Sequence, residues 1–315
     1  MAANGKKRST WRELMDSGEL QMLPTAHDAL AAQLIEKAGF TSYQIGMFAV
    51  VGARFGYPDI DLAQFGENFQ SAQEIIAASS LPVLVDCDDA YGDVKNVTRV
   101  IQSYEKVGAS AVFIEDQASP KRCGHMAGKR VVPAEILVDK ITTALAMRQT
   151  DLFVIARTDA REPLGLDEAL RRGELYFKAG ADGLFIEAPH DEKEIERIAS
   201  EFRGKPLAVN MLEGGGRTPL IPPADLHKMG FSMVFLPTSL IFVAARAIQG
   251  ALKDLKNGTY PVKEKGFTFA EYEDTVNLGY WADIESTYLK HQEDTVLQSP
   301  DSSQFSRQDY ATSSS

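Results

Sequence analysis

The chain has 315 residues, of which 44% are hydrophobic and 24% are charged, so it carries enough apolar material for a folded core. Its net charge of −11 argues against a nucleic acid or an anionic membrane as the partner. No apolar run is long enough to span a bilayer, and the basic N-terminus lacks the apolar centre of a signal peptide. The 2 cysteines do not form a disulfide framework, so we expect a protein of the reducing cytoplasm.

The first part of the chain alternates short apolar runs with helical patterns. Residues 1–9 are expected to be disordered, and Thr10 with Glu13 forms a capping box that opens a short helix. Predicted strands cover 20–23, 42–45, 83–86 and 111–115, and predicted helices cover 29–38, 66–78 and 94–107. Residues 46–59 contain several glycines after a strand and predict a long loop, where functional residues are often found.

The second part of the chain continues the same alternation. A polar loop is predicted over 116–131, and Pro133 stands where a helix can begin. Predicted strands cover 152–156, 183–186, 207–209 and 233–236, and predicted helices cover 166–179, 191–202 and 239–256. Further helical pattern runs over 269–297, which extends the predicted domain to residues 10–297. The serine-rich residues 298–315 predict a disordered tail.

This alternation predicts the fold class. Each strand-like run is followed by a helix and no hairpin turn separates two strands, which indicates parallel pairing with right-handed crossovers. Eight such units that close on themselves predict an α/β protein with a (β/α)8 TIM barrel and additional C-terminal helices. An open doubly wound sheet is the alternative. No Gly-x-Gly-x-x-Gly follows the first strand, which argues against a dinucleotide site.

Carboxylates stand at the ends of two neighbouring predicted strands. Asp86 and Asp88 are two residues apart, so they would point the same way from an extended chain, and Glu115 ends the next strand. The C-terminal ends of barrel strands face one mouth, so these carboxylates predict a hard-cation site, for Mg²⁺ or alternatively Mn²⁺. The alternative role of such residues is to cap the helices that follow.

Other polar residues at the same mouth predict a substrate site. The remaining strand ends supply Gly46, Arg157, Glu187, Asn210 and Glu213. Arg157 is suited to hold a substrate carboxylate through two hydrogen bonds, or else to pair with Glu187. Cys123 lies in the run Lys121-Arg-Cys-Gly-His125, among cationic side chains, which predicts a lowered pKa and a thiol able to carry protons.

The same stretches carry a family resemblance. They are Pro58-Asp59, Val85-Asp-Cys-Asp88, Glu115-Asp-Gln117, Pro120-Lys-Arg-Cys-Gly-His125, Ile155-Ala-Arg-Thr-Asp-Ala160 and Asn210-Met-Leu-Glu-Gly214. Over about residues 10–256, the chain resembles the isocitrate lyase/phosphoenolpyruvate mutase superfamily. The Lys-Arg-Cys-Gly-His run is the most specific of these stretches, and it is typical of the lyase, oxaloacetate hydrolase and carboxyphosphonoenolpyruvate mutase branches.

The resemblance implies a role for each matching residue. Asp86 and Asp88 would hold Mg²⁺, directly or through water, with Glu115 in the outer shell. Arg157 would take a substrate carboxylate, and Asp59 would lie on a gating loop. Cys123, on a second mobile loop, would be the general acid/base that protonates the enolate left by C–C cleavage. The expected catalytic set also includes Lys121, His125 and Glu187, and the expected substrate-binding set also includes Gly46, Met47, Phe48, Gly124, Asn210 and Glu213.

The chain departs from the family pattern at positions that bear on the substrate. Gly46-Met-Phe48 replaces the usual Ser-Gly-Gly or Ser-Gly-Ser, and Asp89-Ala90 replaces Thr-Gly. Phe242 stands where 2-methylisocitrate lyases have an arginine, and Pro237 stands where oxaloacetate hydrolases are expected to have a serine. These replacements indicate a smaller or more apolar substrate, such as an alkylated malate.

We therefore predict an Mg²⁺-dependent lyase that cleaves a 2-hydroxy dicarboxylate, a 2-alkylmalate or methylisocitrate-like compound, to a 2-oxo acid such as pyruvate and a second carboxylate. Phosphonomutase chemistry at a P–C bond is the alternative, followed by an oxaloacetate hydrolase and by a barrel that binds a metabolite without catalysis. The resemblance also implies a homotetramer, a dimer of dimers that swap the last barrel helix between subunits. The expected partner is a small-molecule carboxylate, with no nucleic acid and no membrane.

Overall fold

Eight parallel strands form a nearly closed barrel in the computed structural model, which describes residues 9–262 and 266–289. The strands are β1 (Gln21–Pro24), β2 (Tyr43–Ile45), β3 (Val83–Asp86), β4 (Ala111–Glu115), β5 (Phe153–Thr158), β6 (Gly183–Ile186), β7 (Leu207–Asn210) and β8 (Met233–Leu236). Hydrogen-bonded neighbours follow the order β1-β8-β7-β6-β5-β4-β3-β2, and a parallel bridge from Thr25 to Gln44 connects the two outer strands. The predicted (β/α)8 barrel is confirmed, and the open doubly wound sheet is excluded.

Helices follow the strands as the alternation predicts. They are α1 (Trp11–Asp16), α2 (Ala29–Lys37), α3 (Met47–Phe55), α4 (Phe65–Ala77), α5 (Val94–Val107), α6 (Ala134–Met147), α7 (Arg161–Leu164), α8 (Leu166–Lys178), α9 (Glu192–Glu201), α10 (Pro223–Met229) and α11 (Ser239–Lys256). The sequence did not predict the short helices α7 and α10. Among the described residues, no helix combines the length and the apolar character needed to cross a bilayer.

The chain divides into two compact units, residues 1–266 and residues 267–315. The described part of the second unit contains α12 (Phe269–Thr275) and α13 (Leu278–Tyr288). A capping box between Thr268 and Glu271 opens α12, because each side chain bonds the backbone N–H of the other residue. The disorder predicted for residues 1–9 and 298–315, and the helical pattern predicted over 290–297, fall outside the described residues except at Ser9.

One segment differs from its prediction. The sequence predicts a loop over 46–59, but residues 47–55 form helix α3. The loop prediction is wrong because the glycines stand at the ends and on the exposed face of this helix. Gly46 is its extended N-cap residue, and Gly56 ends it at φ +66°. The apolar residues between them, among them Met47 and Val50, are buried against the barrel wall.

Large apolar side chains fill the inside of the barrel. Phe113, Phe185 and Phe235 contact one another with ring centroids 5.0–5.9 Å apart. Trp11 of α1 is fully buried in the same cluster, and Arg12 bonds Asp182 just before β6, so α1 closes the N-terminal end of the barrel. Polar chemistry is therefore confined to the opposite end, where the strands finish.

Candidate active site

The polar residues predicted at the strand ends do lie at the C-terminal end of the barrel. Asp86 ends β3, Glu115 ends β4, Asn210 ends β7, and Glu187 directly follows β6. These four side chains are buried, and so is Arg157 of β5, which pairs in register with Glu115. Burying ionisable groups costs free energy unless they are paired, so such a cluster marks a functional site.

Arg157 is the cation at the centre of this cluster. Its Nε lies 3.2 Å from Glu115 Oε2 and 2.9 Å from Asp159 Oδ2, and its Nη2 lies 3.3 Å from Glu187 Oε2. Burial alone lowers the pKa of Arg157, but these carboxylates raise it well above its usual range. The pairing with Glu187 that the sequence left open is thus present, and two further carboxylates, those of Glu115 and Asp159, hold the Arg157 side chain in place.

The three carboxylates predicted as metal ligands are arranged differently from the prediction. β3 ends at Asp86, and Asp88 has a φ of +48°, so the two side chains do not project from one extended strand. Asp86 Oδ1 instead accepts a hydrogen bond from the backbone N–H of Asp88 at 2.9 Å. Within residues 9–262 and 266–289, no three His, Cys, Asp or Glu side chains have the mutual spacing of a metal cluster.

The donor chemistry of this group nevertheless fits a divalent cation. Burial raises the pKa of Asp86, raises that of Asp88 to about 7, and raises that of Glu115 well above its usual value. Glu115 Oε1 is buried without a hydrogen-bond partner. Buried carboxylate oxygens of this kind suit Mg²⁺ or Mn²⁺, and the ammonium of Lys121, 2.6 Å from Asp88 Oδ1, supplies part of the positive charge they require.

Lys121 also joins two loops over the barrel mouth. Its ammonium bonds Asp59, on the loop after α3, as well as Asp88. The backbone N–H of Cys123 donates to the carbonyl of Asp59 at 3.0 Å, and Ser119 Oγ lies 2.8 Å from Asp61 Oδ2. The two loops expected to close over the site are therefore bonded to each other.

Cys123 has a higher pKa than its neighbours in sequence predict. Burial raises the pKa of the thiol to about 11, and the carboxylate of Asp59 adds to the increase. Lys121 is engaged by Asp59 and Asp88, and Arg122 is exposed and donates to the carbonyl of Ala127, so neither cation stabilises a thiolate. The predicted lowering of the Cys123 pKa is wrong, and at neutral pH the thiol keeps its proton.

The tautomer of His125 follows from its partners. His125 Nδ1 accepts a hydrogen bond from the backbone N–H of Arg217 at 3.0 Å, so Nδ1 carries no proton. Nε2 is then the ring nitrogen that can donate, and it lies 3.2 Å from Glu187 Oε1. Asn210 Nδ2 also donates to Glu187, at 3.3 Å from Oε2. Burial raises the pKa of Glu187, but Arg157 and His125 outweigh it, and the net pKa is lowered. Glu187 is therefore an anion.

Of the predicted substrate-binding residues, Gly124 and Met47 lie beside the buried cluster, whereas Glu213 lies outside it. Gly124 lies against the buried cluster, because a Cβ there would be 2.6 Å from Arg157 Nη2 and from Glu187 Oε2. Met47 is buried, and its backbone N–H lies 3.4 Å from Asp86 Oδ2. Glu213 is exposed and bonds Ser239 at the start of α11, so it does not join the cluster.

Two aromatic side chains form an apolar wall at the same end of the barrel. Phe48 and Phe242 meet edge to face, with ring centroids 6.1 Å apart and an angle of 73° between the planes. Phe48 begins α3 next to Gly46 and Met47, and Phe242 lies in the first turn of α11, after β8. These segments are far apart in the chain, and only the closure of the barrel brings them together.

Sequence reasoning assigned no role to three residues that hold this cluster. Asp159 bonds Arg157, Lys129 bonds Asp159, and Asn68 donates to Asp88 Oδ2 at 3.3 Å. Asp159 follows Arg157 by two residues at the end of a strand, and that spacing could have revealed it. Lys129 and Asn68 lie in a loop and a helix and carry no comparable signal.

Residues 11–256 match the family model described as phosphoenolpyruvate phosphomutase. The chain belongs to this family. It is 39% identical to 2,3-dimethylmalate lyase of Eubacterium barkeri, over 88% of this chain and 96% of that protein. It is 38% identical to 2-methylisocitrate lyase of Halalkalibacterium halodurans, over 78% of this chain and 81% of that protein. The crystal structure of phosphonopyruvate hydrolase in complex with oxalate and Mg²⁺ is similar to it, with a TM-score of 0.77 and 28% identity over 89% of this chain and 98% of that one.

Proposed function

We propose that this chain is a metal-dependent lyase. It cleaves the C–C bond of a small 2-hydroxy dicarboxylate, releasing a 2-oxo acid such as pyruvate and a second carboxylate. The observation that carries the proposal is the position of Cys123, a thiol whose pKa burial raises, next to a glycine whose backbone lies on the buried pair of Arg157 and Glu187. That arrangement supplies a carboxylate-binding cation and an acid in one site, within a family whose members include two similar carboxylate lyases.

The metal in this proposal is Mg²⁺, with Mn²⁺ as the alternative. Asp86 and Asp88 would hold it and Glu115 would lie in the outer shell, since all three are buried carboxylates whose pKa values burial raises. The bound ion would stabilise negative charge on the substrate oxygens. Binding is measurable without turnover, by calorimetric titration of Mn²⁺ into the wild type and into Asp86→Asn, which we expect to bind at least roughly tenfold more weakly.

The residues divide the chemistry among them. Arg157 holds one substrate carboxylate, and Glu115, whose Oε1 has no hydrogen-bond partner, takes the proton of the 2-hydroxyl group. The O–H electron pair forms the new carbonyl as the C–C bond breaks, and the electrons of that bond move to the carbon beside the second carboxylate. The thiol of Cys123 protonates that carbon. The proton gained by Glu115 returns to the thiolate between turnovers, so the cycle is balanced and involves no oxidation.

The wall of Phe48 and Phe242 directs the choice of substrate within this class. A third carboxylate, as in methylisocitrate, would meet two aromatic rings at this wall. An alkyl group would be favoured there, because an unpaired carboxylate loses its hydration without compensation. We therefore propose a 2-alkylmalate as the substrate. Phe242→Arg is expected to lower turnover of alkylmalates and to raise that of methylisocitrate, whereas equal loss for both substrates would contradict this assignment.

The test is a substrate panel with and without Mg²⁺. Alkylmalates, methylisocitrate and oxaloacetate are incubated with the protein, and pyruvate or oxalate is followed by coupled assay and chromatography. The lyase assignment expects pyruvate release that requires metal and falls at least roughly a thousandfold in Cys123→Ser, since general acid catalysis and an intact active-site geometry both contribute to the rate. Absence of turnover with retained Mn²⁺ binding would favour a barrel that binds a metabolite without catalysis.

A phosphonomutase is the second candidate, because the matching family model is described by that activity. Its substrate would contain or form a P–C bond, and phosphorus NMR of phosphonopyruvate incubated with the protein and Mg²⁺ would detect it. An oxaloacetate hydrolase ranks below both, since Pro237 stands at the position expected to carry a serine in that branch.

The assembly proposed for this chain is a homotetramer in which paired subunits exchange α11. None of residues 239–256 is buried within one chain, although Val243, Ile248 and Leu252 are large apolar side chains more than 60% exposed. A second copy that covers α11 would remove this area from water. Light scattering should give four times the chain mass, and Val243→Glu with Leu252→Glu should reduce it. The two free thiols suit the cytoplasm, which we propose as the compartment.

A further inference from the structure

Lys129 has a fully buried ammonium that the proposed mechanism does not use. Its Nζ lies 2.8 Å from Asp159 Oδ1 and 3.8 Å from Glu162 Oε2, and it donates to the backbone carbonyl of Gly124. A buried charge is costly unless good partners surround it, so these contacts hold the side chain in one place. Lys129 thus connects the loop that carries Cys123 to the end of β5.

Asp159 makes this connection specific to the active site. Its carboxylate pairs with both Lys129 and Arg157, with Arg157 Nε 2.9 Å from Oδ2 and Nη2 3.2 Å from Oδ1. Its backbone N–H donates to Asp116 Oδ1 at 2.9 Å, which holds the backbone of Asp159 in place. The guanidinium that would bind substrate and the ammonium of the loop therefore share one buried anion.

The loop meets the same cluster a second time, at Gly124. A Cβ on Gly124 would lie 2.6 Å from Arg157 Nη2, so the backbone beside Cys123 is in direct contact with the guanidinium. Lys129 bonds the carbonyl of this same glycine. Two neighbouring contacts thereby position the thiol relative to Arg157: the packing of Gly124 against the guanidinium and the hydrogen bond from Lys129 to the carbonyl of Gly124.

We propose that Lys129 is a positioning residue that holds the Cys123 loop against the pair of Arg157 and Asp159. It touches no reacting atom. Arg157 and Lys129 share Asp159, so binding of a carboxylate at Arg157 affects how firmly Lys129 holds the loop. The position of the loop affects carboxylate binding to the same extent, because such coupling is reciprocal. The part that concerns catalysis rests on the proposed function, whereas the holding of the loop does not.

The experiment compares the alkylation rates of the two cysteines in Lys129→Met, which keeps the length of the side chain and removes its charge. Iodoacetamide labelling is followed by peptide mass spectrometry, so Cys123 reports loop opening and the fully buried Cys87 reports global unfolding. We expect Cys123 of Lys129→Met to react at least roughly tenfold faster than in the wild type while Cys87 stays unlabelled, since loss of a buried ion-pair partner weakens the contact that holds the loop. Lys129→Arg, which keeps the charge, should react at a rate between the two.

Lys95→Met is the matched control, because Lys95 is 84% exposed and its ion pair with Asp93 lies in solvent. Its Cys123 rate should equal that of the wild type. An unchanged Cys123 rate in Lys129→Met would overturn the proposal, and so would labelling of Cys87 in step with Cys123, which would reduce Lys129 to a general stabiliser. If a substrate is identified, kcat should fall more than KM rises. Labelling needs no substrate, so a failure of the proposed function would leave this result intact.

Discussion

Arg157 is expected to be the most costly single side chain to remove from the active site. The substitution Arg157→Met keeps much of the apolar packing against Phe113 and Phe185 but takes a shared cation from three buried carboxylates. Removing one partner of a buried ion pair typically costs about 3–5 kcal/mol of unfolding free energy. A buried carboxylate that has lost its cation can instead take up a proton, and this limits the loss of unfolding free energy. Protonating a carboxyl group of ordinary pKa at pH 7 costs about 4 kcal/mol, at 1.36 kcal/mol per pKa unit.

The same reasoning sets the pH dependence of the loss. Burial already raises the pKa of Glu115, and Arg157 is the main influence that lowers it, so the variant should raise this pKa further. A carboxyl whose folded pKa exceeds its unfolded pKa binds a proton on folding, so its contribution to stability is present at low pH and is lost as pH rises. The difference between variant and wild type should therefore grow by about 1.4 kcal/mol per pH unit for each proton bound.

Urea denaturation at pH 5.5 and pH 7.5, in buffers with a chelator to exclude metal, measures this effect. Arg197→Met is the control, since Arg197 and Asp167 form an exposed pair and its loss should cost about 0.5 kcal/mol or less. A cost below about 1 kcal/mol for Arg157→Met, or an equal cost at both pH values, would refute the view that this guanidinium neutralises buried carboxylates.

Three further predictions concern the loop and the barrel. Gly124→Ala should lower activity by roughly a hundredfold, because its Cβ would collide with Arg157 and displace the loop; a fully active variant would contradict this geometry. The alkylation rate of Cys123 should rise roughly tenfold per pH unit up to about pH 10, because its pKa is raised to about 11, and a plateau near pH 8.5 would show an unburied thiol. Trp11→Ala should lower the unfolding free energy by about 3–5 kcal/mol in urea titrations, and a loss below about 1 kcal/mol would mean that α1 does not close the barrel.

Local patterns in the sequence determined most of the architecture. Strands and helices alternate, and each strand is a short apolar run that ends at polar residues, so the barrel and the positions of Asp86, Glu115 and Arg157 at its strand ends followed from spacing alone. The error at α3 came from its glycines, whose cost to a helix is small enough for the packing of Met47, Ala49, Val50 and Val51 to outweigh it, and that packing depends on the neighbouring elements.

Tertiary structure decided the chemistry of the site. Lys121 pairs with Asp59, which is 62 residues away in the chain, rather than stabilising the thiol of Cys123 two residues away. Asp88 takes a left-handed conformation, and Lys129 finds Asp159 across 30 residues. The partner of a charge and the extent of its burial are long-range properties, because electrostatic energies depend on distance in space and on the exclusion of water. The sequence alone therefore does not specify the partner of a charge or its burial, because both are set only when the barrel closes and its loops come into contact.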